Sequence, residues 1–140
     1  MNQPHAGPVA RILGTGRAAP DRVVTNDDLS RTVETNDTWI TERTGIKQRR
    51  LVAPGQASSD LAADAGRRAI ERAGLSPDDI DAVICATVTP DMPLPSCAVL
   101  VQRKVGITRH VPAFDLSAAC GGFLYGLAVA EGLIRGGQIR

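Results

Sequence analysis

Aromatic side chains are nearly missing from this sequence: Trp39, Phe114, Phe123 and Tyr125 are all that 140 residues contain. A core must then be closed by Ala, Val, Leu and Ile packed at short range, and the stacking platforms of single-stranded nucleic-acid binders are excluded. A charge excess is missing too. Sixteen basic residues against fifteen acidic leave a formal net charge of +1, so no global field draws the chain to nucleic acid or to an anionic membrane. No apolar run reaches the roughly 18 residues of a membrane-spanning helix, and Met1 to Pro8 lacks the charged start and apolar stretch of a signal peptide; the expectation is a cytoplasmic protein. The three cysteines, Cys85, Cys97 and Cys120, are odd in number and show no Cys-x-x-Cys spacing. Neither a disulfide framework nor a metal site is expected, and the thiols read as reduced.

What is present is an alternation of strand-like and helix-like segments with 43% hydrophobic residues, which predicts one α/β domain with a layered sheet. Val9 to Gly16 reads as a first strand running into a glycine turn. Thr25-Asn-Asp-Asp28 places a hydroxyl cap three residues before a carboxylate, predicting a helix through Leu29 and Val33. Asn36 caps a second helix that carries Trp39, Ile40 and Arg43 and is stopped by Gly45. Ser58 or Ser59 caps a longer amphipathic one ending at Gly74. Ser76 to Asp79 is a turn, and Ala82 to Val88 is an apolar run of strand length, predicted to be buried on both faces. Pro90, Pro93 and Pro95 make a loop. A helix from Ser96 to about Val105 and a strand over His110 to Leu116 follow. The last helix, Phe123 to about Arg135, is apolar on nearly every side and calls for burial inside something larger.

Cys120 falls where that last strand turns into that last helix. Unpaired backbone N–H groups and the positive end of a helix favour a thiolate over a thiol. Gly121 and Gly122 clear side chains from beside the sulfur, so that a thioester carbonyl can approach and backbone N–H groups can face its oxyanion. The other reading is a small core residue, since free cysteine is among the most buried types. Cys85, inside an apolar strand, and Cys97, at a helix start, read as core.

The residues Asp115-Leu-Ser-Ala-Ala-Cys-Gly-Gly-Phe123 resemble the nucleophile segment of the β-ketoacyl-acyl-carrier-protein synthase III family. Asn36-Asp-Thr-Trp-Ile-Thr-Glu-Arg-Thr-Gly-Ile46 resembles the same family's coenzyme A-binding helix, and Ile12-Leu-Gly-Thr-Gly16 with Pro20 its first strand and turn. The resemblance implies a thiolase-like layered fold, of which this chain is the N-terminal half: a mixed sheet with helices on both faces. It implies Cys120 as the acylated nucleophile, Trp39 stacked on the adenine of coenzyme A, Thr35 beside that ring, and Arg43 with Thr44 bordering the nucleotide. Trp39 and Arg43, four residues apart, share one helical face and offer a plane and a guanidinium fork to a phosphorylated purine; read alone, a single Trp is more often a packing residue. Lys47, Arg49 and Arg50 read either as a solvated charge run or as a contact for coenzyme A phosphates or for an acidic carrier protein. The resemblance further places Leu94 where a residue reaches across a dimer to close the partner's acyl pocket.

The implied activity is acyl transfer: Cys120 takes an acyl group from acyl-coenzyme A, and a malonyl thioester on acyl carrier protein decarboxylates and attacks, starting fatty acid or polyketide chains. No permanently bound cofactor is implied, and the expected partners are acyl-coenzyme A, malonyl-acyl carrier protein and a second copy of the enzyme. Neither His5 nor His110 stands in a context resembling the family's catalytic histidine, and the family's asparagine is equally missing. The expectation is therefore a partial product of a longer reading frame, inactive in condensation by itself. Two alternatives stay open: an acyltransferase with a non-malonyl acceptor, and a non-catalytic coenzyme A-binding or assembly fragment. A Rossmann reading of Gly14-Thr-Gly16 is weak, because Ala19 and Pro20 stand where a glycine and an opening helix are needed.

Overall fold

The structure, a computed structural model, describes residues 9–140; Met1 to Pro8, including His5, lies outside the described residues. Two compact units are present, one of residues 18–56 and one of residues 57–140 with the described residues up to Arg17.

In the smaller unit, β1 (Arg22–Thr25) pairs antiparallel with β2 (Gln48–Leu51), Arg22 opposite Leu51 and Thr25 opposite Gln48. No local pattern announces this pair: Gln-Arg-Arg-Leu carries no apolar alternation, and its arginines read as a charge run. They are spent on the fold. Arg49 donates to the Asn26 side-chain oxygen (2.8 Å) and to the Val24 carbonyl (3.3 Å), Arg50 donates to the carbonyls of Pro20 (2.9 Å) and Asp21 (3.3 Å), and Lys47 lies 3.4 Å from Asp37. Between the strands run α1 (Asn26–Ser30) and α2 (Asp37–Thr44). The Thr25 hydroxyl accepts from the Asp28 N–H (3.1 Å) while the Asp28 carboxylate accepts from the Thr25 N–H (3.0 Å), the capping box the sequence predicts. The helix stops at Ser30, short of Val33, whose β-branched side chain stays exposed and gains nothing from a further turn. Asn36 accepts from the Trp39 N–H (2.8 Å), and Gly45 closes α2 at φ +69°. Asn26 is buried; its amide donates to Asp37 (2.7 Å) and to the Ile46 carbonyl (2.8 Å), tying α2 and the segment leading into β2 to one side chain.

The larger unit holds α3 (Ser58–Arg72), β3 (Val83–Ala86), α4 (Cys97–Val105), β4 (Ala113–Leu116) and α5 (Gly122–Arg135). β3 and β4 are parallel, Cys85 level with Asp115. Strand periodicity sends Val83 and Cys85 one way, into the cluster formed with Ala63, Cys97, Val101 and Val105 of α3 and α4. Ile84 and Ala86 point the other way, where Gly126 and Gly122 let α5 approach. Helices thus cover both faces of the parallel pair, the α/β layering expected from the sequence, although among the described residues the strands form two separate pairs instead of one sheet. β3 is half-buried rather than enclosed, and shorter than the apolar run from Ala82 to Val88, because only one of its edges carries a ladder.

Residues 9–16 are the main departure: they are not a strand, having no ladder partner among the described residues. They still pack like one. Side chains added at Gly14 and Gly16 would overlap the carbonyl oxygens of Ala69 and Ala65 in α3, so this segment lies against the helix backbone itself. The N-cap of α3 is Ala57, not Ser58 or Ser59, with Asp60 accepting from the Ala57 N–H (2.9 Å). The two serines act at longer range: Ser58 donates to the Thr89 carbonyl (2.7 Å), and buried Ser59 donates its hydroxyl and its N–H (2.8 Å) to Asp91. Lys104 of α4 completes the network with bonds to the Ser59 hydroxyl (2.5 Å) and Asp60 (2.6 Å).

Two outcomes follow from this packing. Gly16→Ala forces α3 away from residues 9–16 and should cost about 1–3 kcal/mol, read as a lower urea midpoint. Lys104 and the Ala57 N–H hold the Asp60 carboxyl below its ordinary 3.8; burial opposes ionisation of Asp91, but the Ser59 donors and Lys104 outweigh it, and that carboxyl is lowered as well. Depressed carboxyls contribute stability above about pH 4 that is lost as pH falls through their folded values. The thermal midpoint should therefore drop below pH 4, and in Lys104→Met it should start lower and fall less over the same range.

Candidate functional site

The approach to Cys120 is built from three pieces. β4 delivers the chain to Leu116. Ala119 then takes φ +44°, the left-handed region, which costs a residue with a Cβ about 1–3 kcal/mol. Ala119 to Gly121 form a single tight 3-10 turn closed by the Gly121 N–H on the Ala118 carbonyl (3.0 Å), and α5 begins at Gly122. The strained residue stands immediately before the cysteine, and the turn leaves Cys120 exposed. A strand-to-helix turn of this kind lifts a side chain off the end of the layer, where neither a strand nor a helix interior could present it. Gly122 is closely packed here: a Cβ on it would stand 3.2 Å from that of Ala86.

The other two thiols are different in kind. Cys97 is fully buried at the start of α4, and burial, followed by the neighbouring Cys85, pushes its thiol up to about 12. Burial raises that of Cys85 as well. Both belong to the core, as their sequence contexts predict. Asp115, quoted in the nucleophile motif but given no task there, accepts from the N–H groups of Cys97 (2.7 Å) and Ala98 (2.8 Å). No local signal marks this, because the partners lie 17 and 18 residues away.

On α2, Trp39 is half-exposed and the Arg43 guanidinium lies 4.4 Å from its ring centroid. The structure thus brings these two predicted residues together as the four-residue spacing requires. The Thr44 hydroxyl is engaged locally, donating to the Ile40 carbonyl (2.7 Å) and accepting from the Ile46 N–H (3.1 Å). The Thr35 hydroxyl is buried without a hydrogen-bond partner among the described residues. No cluster of His, Cys, Asp and Glu among the described residues could hold a metal ion, and no helix there is long and apolar enough to cross a membrane. An open apolar cleft of about 370 Å³ lies between β3 and α5, lined by Ile84, Ala86, Phe123 and Leu127; Cys120 is not on its wall.

A parallel strand pair with helices on both faces, and a cysteine raised on the turn into the following helix, define a layered α/β domain. Residues 40–140 match the thiolase N-terminal domain, and the chain belongs to that family. It is 53% identical over 131 residues to the β-ketoacyl-[acyl-carrier-protein] synthase III of Thiobacillus denitrificans, covering 94% of this chain and 41% of that one. It is 54% identical over 133 residues to the enzyme of the same name from Laribacter hongkongensis, covering 95% and 41%. Among solved structures it is similar to the 3-oxoacyl-[acyl-carrier-protein] synthase III of Aquifex aeolicus, with TM-score 0.84 and 43% identity over 91% of this chain and 41% of that one. It is similar also to a priming β-ketosynthase of a polyketide biosynthetic pathway, with TM-score 0.89 and 34% identity over all of this chain and 41% of that one. The chain spans about two fifths of the length of the curated relatives it matches.

The contrast among the three thiols can be measured directly. With limiting iodoacetamide under native conditions, Cys120 should be alkylated at least about 100-fold faster than Cys97, which should react only on unfolding; peptide mass spectrometry gives the ratio.

Proposed function

We propose that this chain supplies the acyl-accepting cysteine and the nucleotide-binding helix of an acyltransferase of the β-ketoacyl-acyl-carrier-protein synthase III type. The observation that carries the reading is Cys120, exposed on a strained turn between a half-buried parallel strand and a glycine-led helix. There its sulfur attacks the thioester carbonyl of acyl-coenzyme A, coenzyme A leaves, and the acyl group stays on the cysteine for transfer to malonyl-acyl carrier protein.

Trp39 and Arg43 form the nucleotide end of the site: the uncovered part of the indole takes the adenine, and the guanidinium takes a phosphate oxygen. Thr35 and Thr44 border the same nucleotide, Thr35 offering a hydroxyl that has no hydrogen-bond partner among the described residues. The same reading makes acyl-coenzyme A a substrate and not a resident cofactor, sets the enzyme in the cytoplasm, and assigns the exposed apolar side chains of α5 (Phe123, Leu124 and Tyr125) to the rest of a homodimeric enzyme. The histidine and asparagine implied for decarboxylation are contributed from outside these motifs.

Incubating the protein with acetyl-coenzyme A and recording intact mass should show one acetyl adduct, lost in Cys120→Ala. Trp39→Ala should keep the cysteine but weaken coenzyme A binding about tenfold or more, since stacking of a base on an aromatic ring contributes roughly 1–3 kcal/mol. An adduct that survives in Cys120→Ala, or none in the wild type, sinks the assignment.

A further inference from the structure

The two core cysteines are not independent. Cys85 on β3 and Cys97 at the first turn of α4 bring their sulfurs to 3.5 Å, although twelve residues and the whole proline-rich loop separate them. Cys97 is fully buried, whereas Cys85 is half-buried and lines an open apolar cleft with Ala62, Ile70, Val83 and Val101. Cys85 is thus the more accessible of the two, and Cys97 stands behind it. The arrangement is that of an attacking and a resolving thiol.

We propose that Cys85 and Cys97 are a redox-active pair that closes to a disulfide when the protein meets a low-molecular-weight disulfide such as oxidised glutathione. The Cys85 sulfur, deprotonated, attacks one sulfur of the reagent, forming a mixed disulfide and expelling one thiolate. The Cys97 sulfur, deprotonated in turn, attacks the Cys85 sulfur of that mixed disulfide and expels the second thiolate. Two electrons pass to the reagent, which leaves as two thiols carrying the two protons from the cysteines. Burial raises both sulfurs, and the carboxylates facing them, Asp115 on β4 and Asp91 in the loop, raise them further. The Cys85 step is therefore slow at neutral pH and speeds up as pH rises, about tenfold per unit below the thiol pKa.

Closing the bond has a mechanical consequence. Cys85 is level with Asp115 in the parallel ladder, and Asp115 holds the Cys97 N–H. The disulfide would weld β3 to the start of α4 at the point where Asp115 already joins α4 to β4, and would pin both ends of the loop that carries Asp91 and Leu94. The inference needs no catalytic role for Cys120.

The test is oxidation of the native protein and of Cys120→Ala with a glutathione disulfide series, followed by alkylation of remaining thiols and double digestion at arginine and before aspartate. Cleavage before Asp91 separates the two cysteines into residues 81–90 and 91–103, so a linked pair is read directly. The expected result is that linked peptide in both proteins, with free thiols falling to zero in Cys120→Ala, a faster yield at higher pH, and loss of the link in Cys85→Val and in Cys97→Ala. Two alkylated core cysteines after full oxidation, a glutathione adduct that stays on Cys85, or a link from either cysteine to Cys120 would each overturn the proposal. Because the wild-type linkage is itself the readout, an unstable variant does not obscure the answer.

Discussion

The larger unit turns on one carboxylate. Asp115 sits in β4, level with Cys85 of the neighbouring strand, and takes the two N–H groups that open α4. A helix start leaves backbone donors without internal partners, and the positive end of the helix strengthens a bond to an anion. Supplying that anion from a strand, instead of from a local cap, welds α4 to the parallel pair at one end. The hydroxyl of Ser96 still serves as the local cap, 3.4 Å from the Val99 N–H, so the start of α4 is held by both near and distant oxygen. The chain then has only five residues in which to leave β4 and begin α5, and it passes through the left-handed Ala119 on the way. Cys120 inherits its position from a strand that Asp115 fixes.

A second polar knot does for α3 what Asp115 does for α4. Ser59 is fully buried, yet its hydroxyl and its N–H both find Asp91, and Lys104 answers the carboxylates from α4. Burying such groups unpaired would be expensive; paired, they fix the proline-rich loop against two helix ends. The smaller unit repeats the device with Asn26, whose amide reaches Asp37 and Ile46 while its oxygen receives Arg49. With four aromatic residues in the sequence, orientation that large rings might set by shape is set by directed hydrogen bonds.

What could be read from the sequence divides along the same line. Features encoded within four residues were legible: the capping box at Thr25 and Asp28, the Asn36 cap, the Gly45 stop, the Trp39–Arg43 pair, and the turn that carries Cys120. Features encoded by distant partners were not. Gln48 to Leu51 looks like surface because its arginines are polar, and only Val24, Asn26 and Pro20 reveal why they are there. Ser59 reads as a cap until Asp91, 32 residues away, claims it. Residues 9–16 show the opposite error: a β-like pattern with glycines shaped for close packing on α3, but without a ladder to make it a strand among the described residues.

The fold also sorts three chemically identical thiols into separate fates, and it does so by geometry more than by composition. Cys97 and Cys120 both stand at the beginning of a helix, the position expected to favour a thiolate, but the Asp115 carboxylate already occupies the opening N–H groups of α4 and Asp91 lies 3.9 Å from the Cys97 sulfur. Those donors cannot also serve a thiolate, and the nearby negative charges oppose one. At α5 no side chain caps the first turn, and the N–H groups of Gly121 and Gly122 go instead to the carbonyls of Ala118 and Ala119 in the preceding turn. A helix N-terminus is therefore not an activating position in itself. It becomes one only where the rest of the fold has left its N–H groups unspent, and at Cys97 that condition fails.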